Sequence, residues 1–144
     1  MKQVTILSAL LFFTFFSPVI AQESAIVATW WNVDSTSHIR IFKATNGKYY
    51  GKIEYLKNEP ERLDESNPDP AKRSEPLLGL MILKSFNYDA TKKQWTGGTI
   101  YDPDNGKTYD CFMWFESSTD KLYIKGYVLG MKFVGRETQW TRVK

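Results

Sequence analysis

Short strand-like runs, separated by turn signals, recur about every ten residues along this chain, and this rhythm is the strongest constraint on its fold. The clearest run is "KYYGKIEYL" (48–56), whose odd-numbered residues from 49 to 55 would share one face of a strand. The pair Asn46-Gly47 before it is favoured in tight hairpins. About eight such runs with no long helical period are typical of an antiparallel barrel or sandwich. We predict an all-β fold, a single closed antiparallel barrel, because about eight strands suffice to enclose a small interior.

Residues 1–21 have the pattern of a signal peptide. Lys2 precedes an apolar stretch over residues 4–16, Ser17-Pro18 follows as a helix breaker, and Ala21 stands at the cleavage position. The apolar core has about 13 residues, whereas a membrane span needs roughly 20. We therefore expect cleavage after Ala21 rather than an uncleaved anchor. The mature protein is expected to be exported, periplasmic or extracellular, with no stable membrane anchor.

Residues 22–144 suffice for one domain with one hydrophobic core. The chain has 19 basic and 16 acidic residues, a net charge of +3, which argues against nucleic acid as a partner because such proteins carry a concentrated basic face. Cys111 is the only cysteine, so no disulfide forms within the chain, and its apolar neighbours predict a buried structural thiol. His38 is the only histidine, and we predict no metal site and no cofactor.

The segment 57–76, "KNEPERLDESNPDPAKRSEP", interrupts the succession of strands and carries four of the six prolines. So long a connection in a compact domain is usually functional or disordered. Asp69 can cap a helical turn that has Pro70 at its first position, and Arg73 can then pair with Asp69. We therefore predict a shaped loop at the barrel rim rather than a slack linker, with residues 60–76 as a lid or partner-facing surface.

From Trp30 to its C-terminus the sequence resembles a bacterial exported family that is known as a domain of unknown function, the DUF2147 group. The matching segments are "YYGKI" (49–53), "NPDP" (67–70), "PLLGL" (76–80), "GGTIYDP" (97–103), "GKTY" (106–109), "KGY" (125–127) and "GRETQWTRV" (135–143), together with Asp64 and Arg73. The resemblance implies a lipocalin-like closed barrel, in agreement with the strand count, and no established activity. Glu75 stands where the family usually has a second arginine, which weakens any anion clamp built on paired arginines.

Structural roles are predicted for Trp30, Gly51 and Arg142. In lipocalin-like barrels, by the same resemblance, an arginine of a late strand packs over a tryptophan of the first strand. Arg142 over Trp30 would be that pair here, worth about 1 kcal/mol as a cation–π contact. Gly51 belongs to the alternating run that starts at Tyr49.

The acidic loop residues do not define a calcium or catalytic site. In "YDPDNGKTYD" (101–110), Gly106 and Lys107 occupy the fifth and sixth positions of a would-be calcium loop, which does not fit its ligand pattern. A hairpin turn in which Asp102 binds backbone N–H groups explains the segment better. The acids that could serve a hydrolase are Asp64, Asp69, Glu75 and Asp102. Nothing in the sequence shows two of them facing across a cleft, so no catalytic residue is assigned.

The strands are rich in tyrosine, and some of these rings are expected to line a cup whose mouth residues 60–76 cover. The predicted ligand-binding residues are Asn67, Asp69, Arg73, Tyr101, Asp102 and Arg136. Arg73 and Arg136 would attract an anion. We expect a barrel that binds a small, partly apolar ligand, a lipid or an envelope metabolite, without covalent chemistry. The alternatives are a structural protein that docks an envelope partner through the NPDP loop and, less favoured, a hydrolase; the oligomeric state stays open.

Overall fold

The computed structural model describes residues 18–144 of the chain. Its elements are α1 (Pro18–Ala25), β1 (Thr29–Trp31), β2 (Ser37–Lys43), β3 (Tyr49–Leu56), a 3₁₀ turn (Pro70–Lys72), β4 (Met81–Asp89), β5 (Gln94–Asp102), β6 (Lys107–Trp114), β7 (Lys121–Tyr127) and β8 (Gly135–Arg142). The predicted signal peptide, residues 1–21, lies outside the described residues except for 18–21. The predicted cleavage position after Ala21 falls within α1.

Each strand pairs antiparallel with the next, and β8 pairs with β1 to close the barrel. The predicted closed antiparallel barrel of about eight strands is confirmed. Because successive antiparallel strands reverse direction, the connections 32–36, 57–80, 103–106 and 128–134 gather at one end, called here the open end. The N-terminal segment and the other turns gather at the opposite end, the closed end.

Large aromatic side chains fill the closed end. Trp30, Trp95, Phe86 and Tyr49 are buried. The ring of Trp95 meets those of Phe115 and Tyr49 edge-to-face, with centroids 5.3 and 6.3 Å apart. Such pairs contribute about 0.5–1.5 kcal/mol each beyond the burial of apolar area. The closed end is therefore a packed aromatic core.

The segment before β1 seals this packed end. Ile26 is fully buried, and its carbonyl accepts a 3.0 Å hydrogen bond from Trp30 Nε1. Tyr49 Oη donates a 2.6 Å bond to Glu23 Oε1, which also forms a 2.9 Å salt bridge with Lys43. The hydrogen bond from Tyr49, followed by that from Lys43, lowers the pKa of Glu23. These contacts lie after the predicted cleavage position, so they would remain in the mature chain.

The Arg142 guanidinium joins the closing seam of the barrel to the N-terminal segment. Its carbon Cζ lies 4.5 Å from the centroid of the Trp30 ring, the contact that the resemblance implies. Its Nη2 donates to the carbonyls of Ala25 and Thr119 at 2.8 and 2.7 Å, and its Nε lies 3.4 Å from Asp120 Oδ1. One side chain thus holds together β8, β1, the segment before β1 and the turn before β7.

A β-bulge between β2 and β3 changes which residues of β3 face the interior. His38 pairs with Tyr55 and Ile39 pairs with Ile53, so one residue of β3 is left over between them. Tyr55 consequently points outward and packs against Trp31 and His38, with ring centroids 6.2 and 4.7 Å away. The expectation that Tyr55 shares a face with Ile53 is wrong, because simple alternation does not count the extra residue of a bulge.

Gly51 lies on β3 at a closely packed part of the interior. A Cβ atom added at Gly51 would lie 2.8 Å from Leu83 Cδ1 and 3.2 Å from Ile39 Cγ2. At Gly126, on β7, an added Cβ would meet only Tyr109 Cβ at 3.6 Å and atoms farther away. The two glycines therefore differ sharply in the space around them.

We predict that Gly51→Ala destabilises the barrel, because the added methyl group must displace Leu83 or Ile39. Over-packing of this kind costs about 1–3 kcal/mol. The matched control is Gly126→Ala, whose Cβ has ordinary contacts and should change the free energy of unfolding by less than about 0.5 kcal/mol. Urea unfolding followed by tryptophan fluorescence measures both. Equal midpoints for the two variants would show that the interior at Gly51 is not closely packed.

We predict that Arg142→Ala lowers the free energy of unfolding by about 2 kcal/mol, since it removes the contact with Trp30 and the hydrogen bonds to Ala25 and Thr119. Arg40→Ala is the control, because Arg40 is exposed and makes only a 3.3 Å bond to Thr29 Oγ1. Thermal unfolding compares the two. An Arg142→Ala protein as stable as the Arg40→Ala protein would contradict this role.

Candidate functional site

A cavity of about 940 Å³ occupies the open end of the barrel. The buried apolar side chains of its walls are Ile39, Ile53, Leu77, Ile82, Ile124 and Trp140. Gly126 also lines the cavity and has no side chain to fill it. The isoleucines are smaller than the rings of the closed end, so the interior is packed at one end and hollow at the other.

Polar side chains fixed in turns surround the mouth of this cavity. In the β1–β2 turn, Asn32 Oδ1 accepts hydrogen bonds from the backbone N–H groups of residues 36 and 37 at 2.8 and 3.0 Å. In the β5–β6 turn, the Asp102 carboxylate accepts from the Asp104 N–H at 3.0 Å and from Asn105 Nδ2 at 2.9 Å. Asp102 therefore builds the hairpin turn, as the sequence predicts, and both of its oxygens already accept a bond.

Two cations of the lining, Arg136 and Lys57, form no salt bridge with any residue of the range 18–144. Arg136 pairs across β7 and β8 with Gly126, which leaves room for a long side chain. Arg62 also lines the cavity, but its Nη2 lies 2.6 Å from Asp104 Oδ1. This hydrogen bond raises the pKa of Arg62. Arg136 is thus a positive charge on the inner wall that no described carboxylate neutralises.

The long connection 57–80 is shaped around one buried carboxylate. Asp64 is 1 % exposed and accepts a 2.6 Å bond from Tyr101 Oη and a 2.7 Å bond from Asn67 Nδ2. A β-bridge between Leu63 and Pro76 brings the two halves of the loop together. A buried charge of this kind is stable only when its oxygens are hydrogen-bonded. The loop therefore has a core of its own.

The same loop is fastened to the β5–β6 turn. Arg62 is paired with Asp104, and Ser66 Oγ donates a 3.3 Å bond to the Asp104 carbonyl. Gly106 has a φ of +70°, and a Cβ there would overlap the Ser66 carbonyl oxygen. Only glycine allows the two segments to approach this closely.

The structure divides the predicted ligand-binding residues between two places. Those that line the cavity are Tyr101, Asp102 and Arg136. The other three are Asn67, Asp69 and Arg73, and none of them lines it. Asn67 instead borders a groove of about 260 Å³, which Tyr101 also lines. This groove lies on the outer wall, because it is lined by the outward-facing partners Lys84 and Thr99.

Asp69 and Arg73 serve the fold of the loop itself. Asp69 Oδ1 accepts a 3.0 Å bond from the Ala71 N–H and caps the 3₁₀ turn that begins at Pro70, as the sequence predicts. Arg73 Nε donates a 2.8 Å bond to the Asn67 carbonyl, whereas we expected it to pair with Asp69. We expected residues 60–76 to cover the mouth of the cavity. In the structure, Arg62 is the one residue of this range that lines the cavity. The bond between Asp64 and Tyr101 holds the loop against the outer wall.

The sequence interpretation missed several residues of the cavity wall. These are Ser37, Ile39, Ile53, Tyr109, Ile124, Thr138 and Trp140. The signal that could have found some of them is alternation along β8, where Arg136, Thr138 and Trp140 are spaced by two and share the inner face. Alternation alone does not say which face is inward, so the closed barrel was needed to decide it.

The Cys111 side chain is fully buried. Burial raises the pKa of the Cys111 thiol, which makes it a poor nucleophile. Within residues 18–144 no three His, Cys, Asp or Glu side chains cluster in a way that could hold a metal ion. Among the helices of the same range, none has the length and apolar character to cross a membrane. The arrangement offers an apolar wall, a polar rim and an unneutralised arginine.

Comparisons with known proteins agree with this fold. The model of an uncharacterized protein family conserved in bacteria, DUF2147, matches residues 28–142. A solved structure described as protein HP1028 from the human pathogen Helicobacter pylori, belonging to the lipocalin family, superposes with a TM-score of 0.72. The two chains are 21% identical, and the match covers 83% of each. At this identity the likeness shows the fold alone. A search of curated proteins finds no match.

We predict that Tyr101→Phe loosens the connection 57–80, because Asp64 loses a hydrogen bond in a buried position. Burial, followed by the bond to Asp64, raises the pKa of Tyr101 from 10.0 to about 12. A raised pKa means that this stabilisation is complete below pH 10 and is lost as the pH rises toward 12. Tyr55→Phe is the control. Hydrogen exchange of the loop amides and melting at pH 7 and pH 11 measure the effect. If the two variants exchange and melt alike, Tyr101 does not hold the loop.

Proposed function

The chain belongs to the DUF2147 family, and we propose that it binds a small amphiphilic anion inside the open end of its barrel without covalent chemistry. The observation that carries this proposal is the cavity of about 940 Å³. Small-molecule sites have volumes of about 300–1,000 Å³, mostly apolar walls and a few polar groups that orient the ligand. The isoleucine and tryptophan walls and the polar rim have this character.

Arg136 defines the polar end of the ligand. A guanidinium binds carboxylate or phosphate through two parallel N–H···O bonds, and Arg136 lines the cavity without an ion pair in the described part of the chain. A ligand with one anionic group and an apolar body would place the anion at Arg136 and the body against Ile124 and Trp140. The expected ligand, a lipid or an envelope metabolite, is thereby assigned to one chemical class: a carboxylate or phosphate with an apolar tail.

The proposal extends to where the protein works. The leader predicted for residues 1–21 supports export to the periplasm or beyond. The neighbour from Helicobacter pylori is described as a lipocalin, which is in keeping with a ligand-binding barrel.

A second candidate function rests on the NPDP segment, 67–70. Its bonds to Asp64 and the capped turn at Asp69 give it a defined shape, although most of its residues are exposed. A rigid exposed loop of this kind suits docking of an envelope protein. A hydrolase is less well supported, because the carboxylates of Asp64 and Asp102 are engaged in the bonds that shape their loops.

The proposed site can be tested by filling the cavity. Gly126→Leu should project a side chain into the cavity, and because an added Cβ at Gly126 has only ordinary contacts, the barrel should still fold. We expect binding of the fluorescent anion anilinonaphthalene sulfonate to fall about tenfold or more, since leucine would occupy the apolar space. Gly126→Ala is the size control. Fluorescence titration gives the affinity, and thermal unfolding checks the fold.

A second variant tests the anionic end of the site. Arg136→Gln should weaken binding of the same sulfonate probe about tenfold, because it removes a charge-assisted bond worth about 1.5 kcal/mol. Arg40→Gln, on the outer wall, should leave the affinity unchanged. Non-denaturing mass spectrometry of protein purified from its native host should also reveal a bound small molecule. Unaltered probe binding in both Gly126→Leu and Arg136→Gln would refute the cavity as the site.

A further inference from the structure

The connection between β7 and β8, residues 128–134, carries an unusually exposed set of apolar side chains. Its exposed members are Val128, Leu129, Met131, Phe133 and Val134. Leu129 is 88 % exposed and Phe133 is 83 % exposed. A cluster of this kind on a soluble surface usually marks a contact with another molecule. The segment 128–134 is called here the apolar tip.

The apolar tip is a shaped turn with a fixed base. The Met131 N–H donates to the Val128 carbonyl, and the Val134 N–H donates to the Met131 carbonyl, both at 3.0 Å. At the base, a Cβ on Gly135 would overlap the Gly126 carbonyl oxygen, so the two strands approach closely there. These backbone bonds define a turn whose apolar side chains stay exposed.

The segment that carries the tip is basic, whereas the neighbouring strand residues Asp110 and Glu137, which pair with Tyr127 and Lys125, are acidic. From Lys121 to Arg136 the chain contains the cations Lys121, Lys125, Lys132 and Arg136 and no acidic residue. Lys132 Nζ lies 5.7 Å from the ring centroid of Phe112 and 5.8 Å from that of Tyr127. Below the tip, half-buried rings of β6 and β7 stack on the outer wall: Phe112 on Trp114 and Trp114 on Tyr123.

We propose that the apolar tip docks the barrel reversibly on the surface of an anionic lipid bilayer. Leu129 and Phe133 would enter the boundary between headgroups and acyl chains, and Lys132 would meet the lipid phosphates. The rings of Phe112 and Tyr127, which lie beside Lys132, would face the headgroups. A second copy of the chain fits the tip less well, since it would bring Lys132 and Arg136 of both copies together. A short tip with few inserted side chains provides peripheral contact and no anchor.

The docking would place the mouth of the cavity at the membrane. Val128 and Val134 belong to the tip and also line the cavity, so an amphiphile leaving the bilayer would meet the cavity beside the tip. The transfer of a ligand in this way rests on the proposed function. The docking itself does not, because Leu129 and Phe133 are not part of the lining.

Vesicle flotation tests the docking. The vesicles contain phosphatidylethanolamine either alone or mixed with phosphatidylglycerol. The parent protein should float with the mixed vesicles and less at high salt, since its cations are then screened. Leu129→Ser/Phe133→Ser should reduce flotation about tenfold, because both apolar side chains leave the bilayer. Val27→Ser removes an exposed apolar side chain at the closed end and should float like the parent. Intact masses must show the same N-terminus in every sample.

Three further measurements test the docking: the fluorescence of a label at the tip, the binding of the anionic probe to the cavity, and sedimentation. A polarity-sensitive dye on Leu129→Cys should shift to the blue with anionic vesicles, and the burial of Cys111 keeps the label at the tip. Anilinonaphthalene sulfonate should bind the double variant as it binds the parent, so loss of docking and loss of the cavity are distinguishable. Equal flotation of parent and double variant, no flotation of the parent, or a dimer in sedimentation that the double variant lacks would each overturn the proposal.

Discussion

Closure of β8 on β1 is the constraint on which the rest of this structure depends. A sheet of eight strands left open would expose two edges of unpaired backbone groups, and β8 joins β1 through the pairs Trp30–Arg142 and Trp31–Thr141 to close it. The Arg142 guanidinium stabilises this seam between β8 and β1. It packs over the Trp30 ring and donates hydrogen bonds to the carbonyls of Ala25 and Thr119. Because these contacts include the segment before β1, the seam and the closed end are stabilised together.

Closure of the barrel does not by itself create a cavity. The cavity depends on how large and small side chains are distributed along the strands. Trp30, Trp95, Phe86 and Phe115 fill one end of the barrel, whereas aliphatic side chains and Gly126 leave space at the other. The packed end supplies the stability that a chain without a disulfide must obtain from burial. The hollow end can then hold a cavity without weakening the fold, because the packing that stabilises the barrel lies in a different layer of the same strands.

The long connection 57–80 lies beside the mouth of the cavity, and of its residues 60–76 only Arg62 lines the cavity. The centre of this connection is Asp64, a buried carboxylate that Tyr101 and Asn67 satisfy, and its flank is held by the pair Arg62–Asp104. These bonds draw the loop onto the outer wall and the β5–β6 turn and leave the mouth accessible. The mouth is bordered on another side by the apolar tip, 128–134. Entry to the cavity thus lies between a rigid polar loop and an exposed apolar one.

The sequence by itself determined the all-β class, the number of strands and the local turns at Asp69 and Asp102, because these depend on short-range alternation, capping and turn chemistry. Closure into a barrel was expected from the number of strands, and the pairing of β8 with β1 accomplishes it. Only the tertiary structure decided which residues meet. The bulge beside Ile39 turns Tyr55 outward, and the bond from Tyr101 to Asp64 carries Asn67, Asp69 and Arg73 away from the cavity that Arg136 lines. Strand register and loop path are set by contacts between residues far apart in the chain. Local pattern carries no information on such contacts, which is why the elements were predictable and the set of residues that lines the cavity was not.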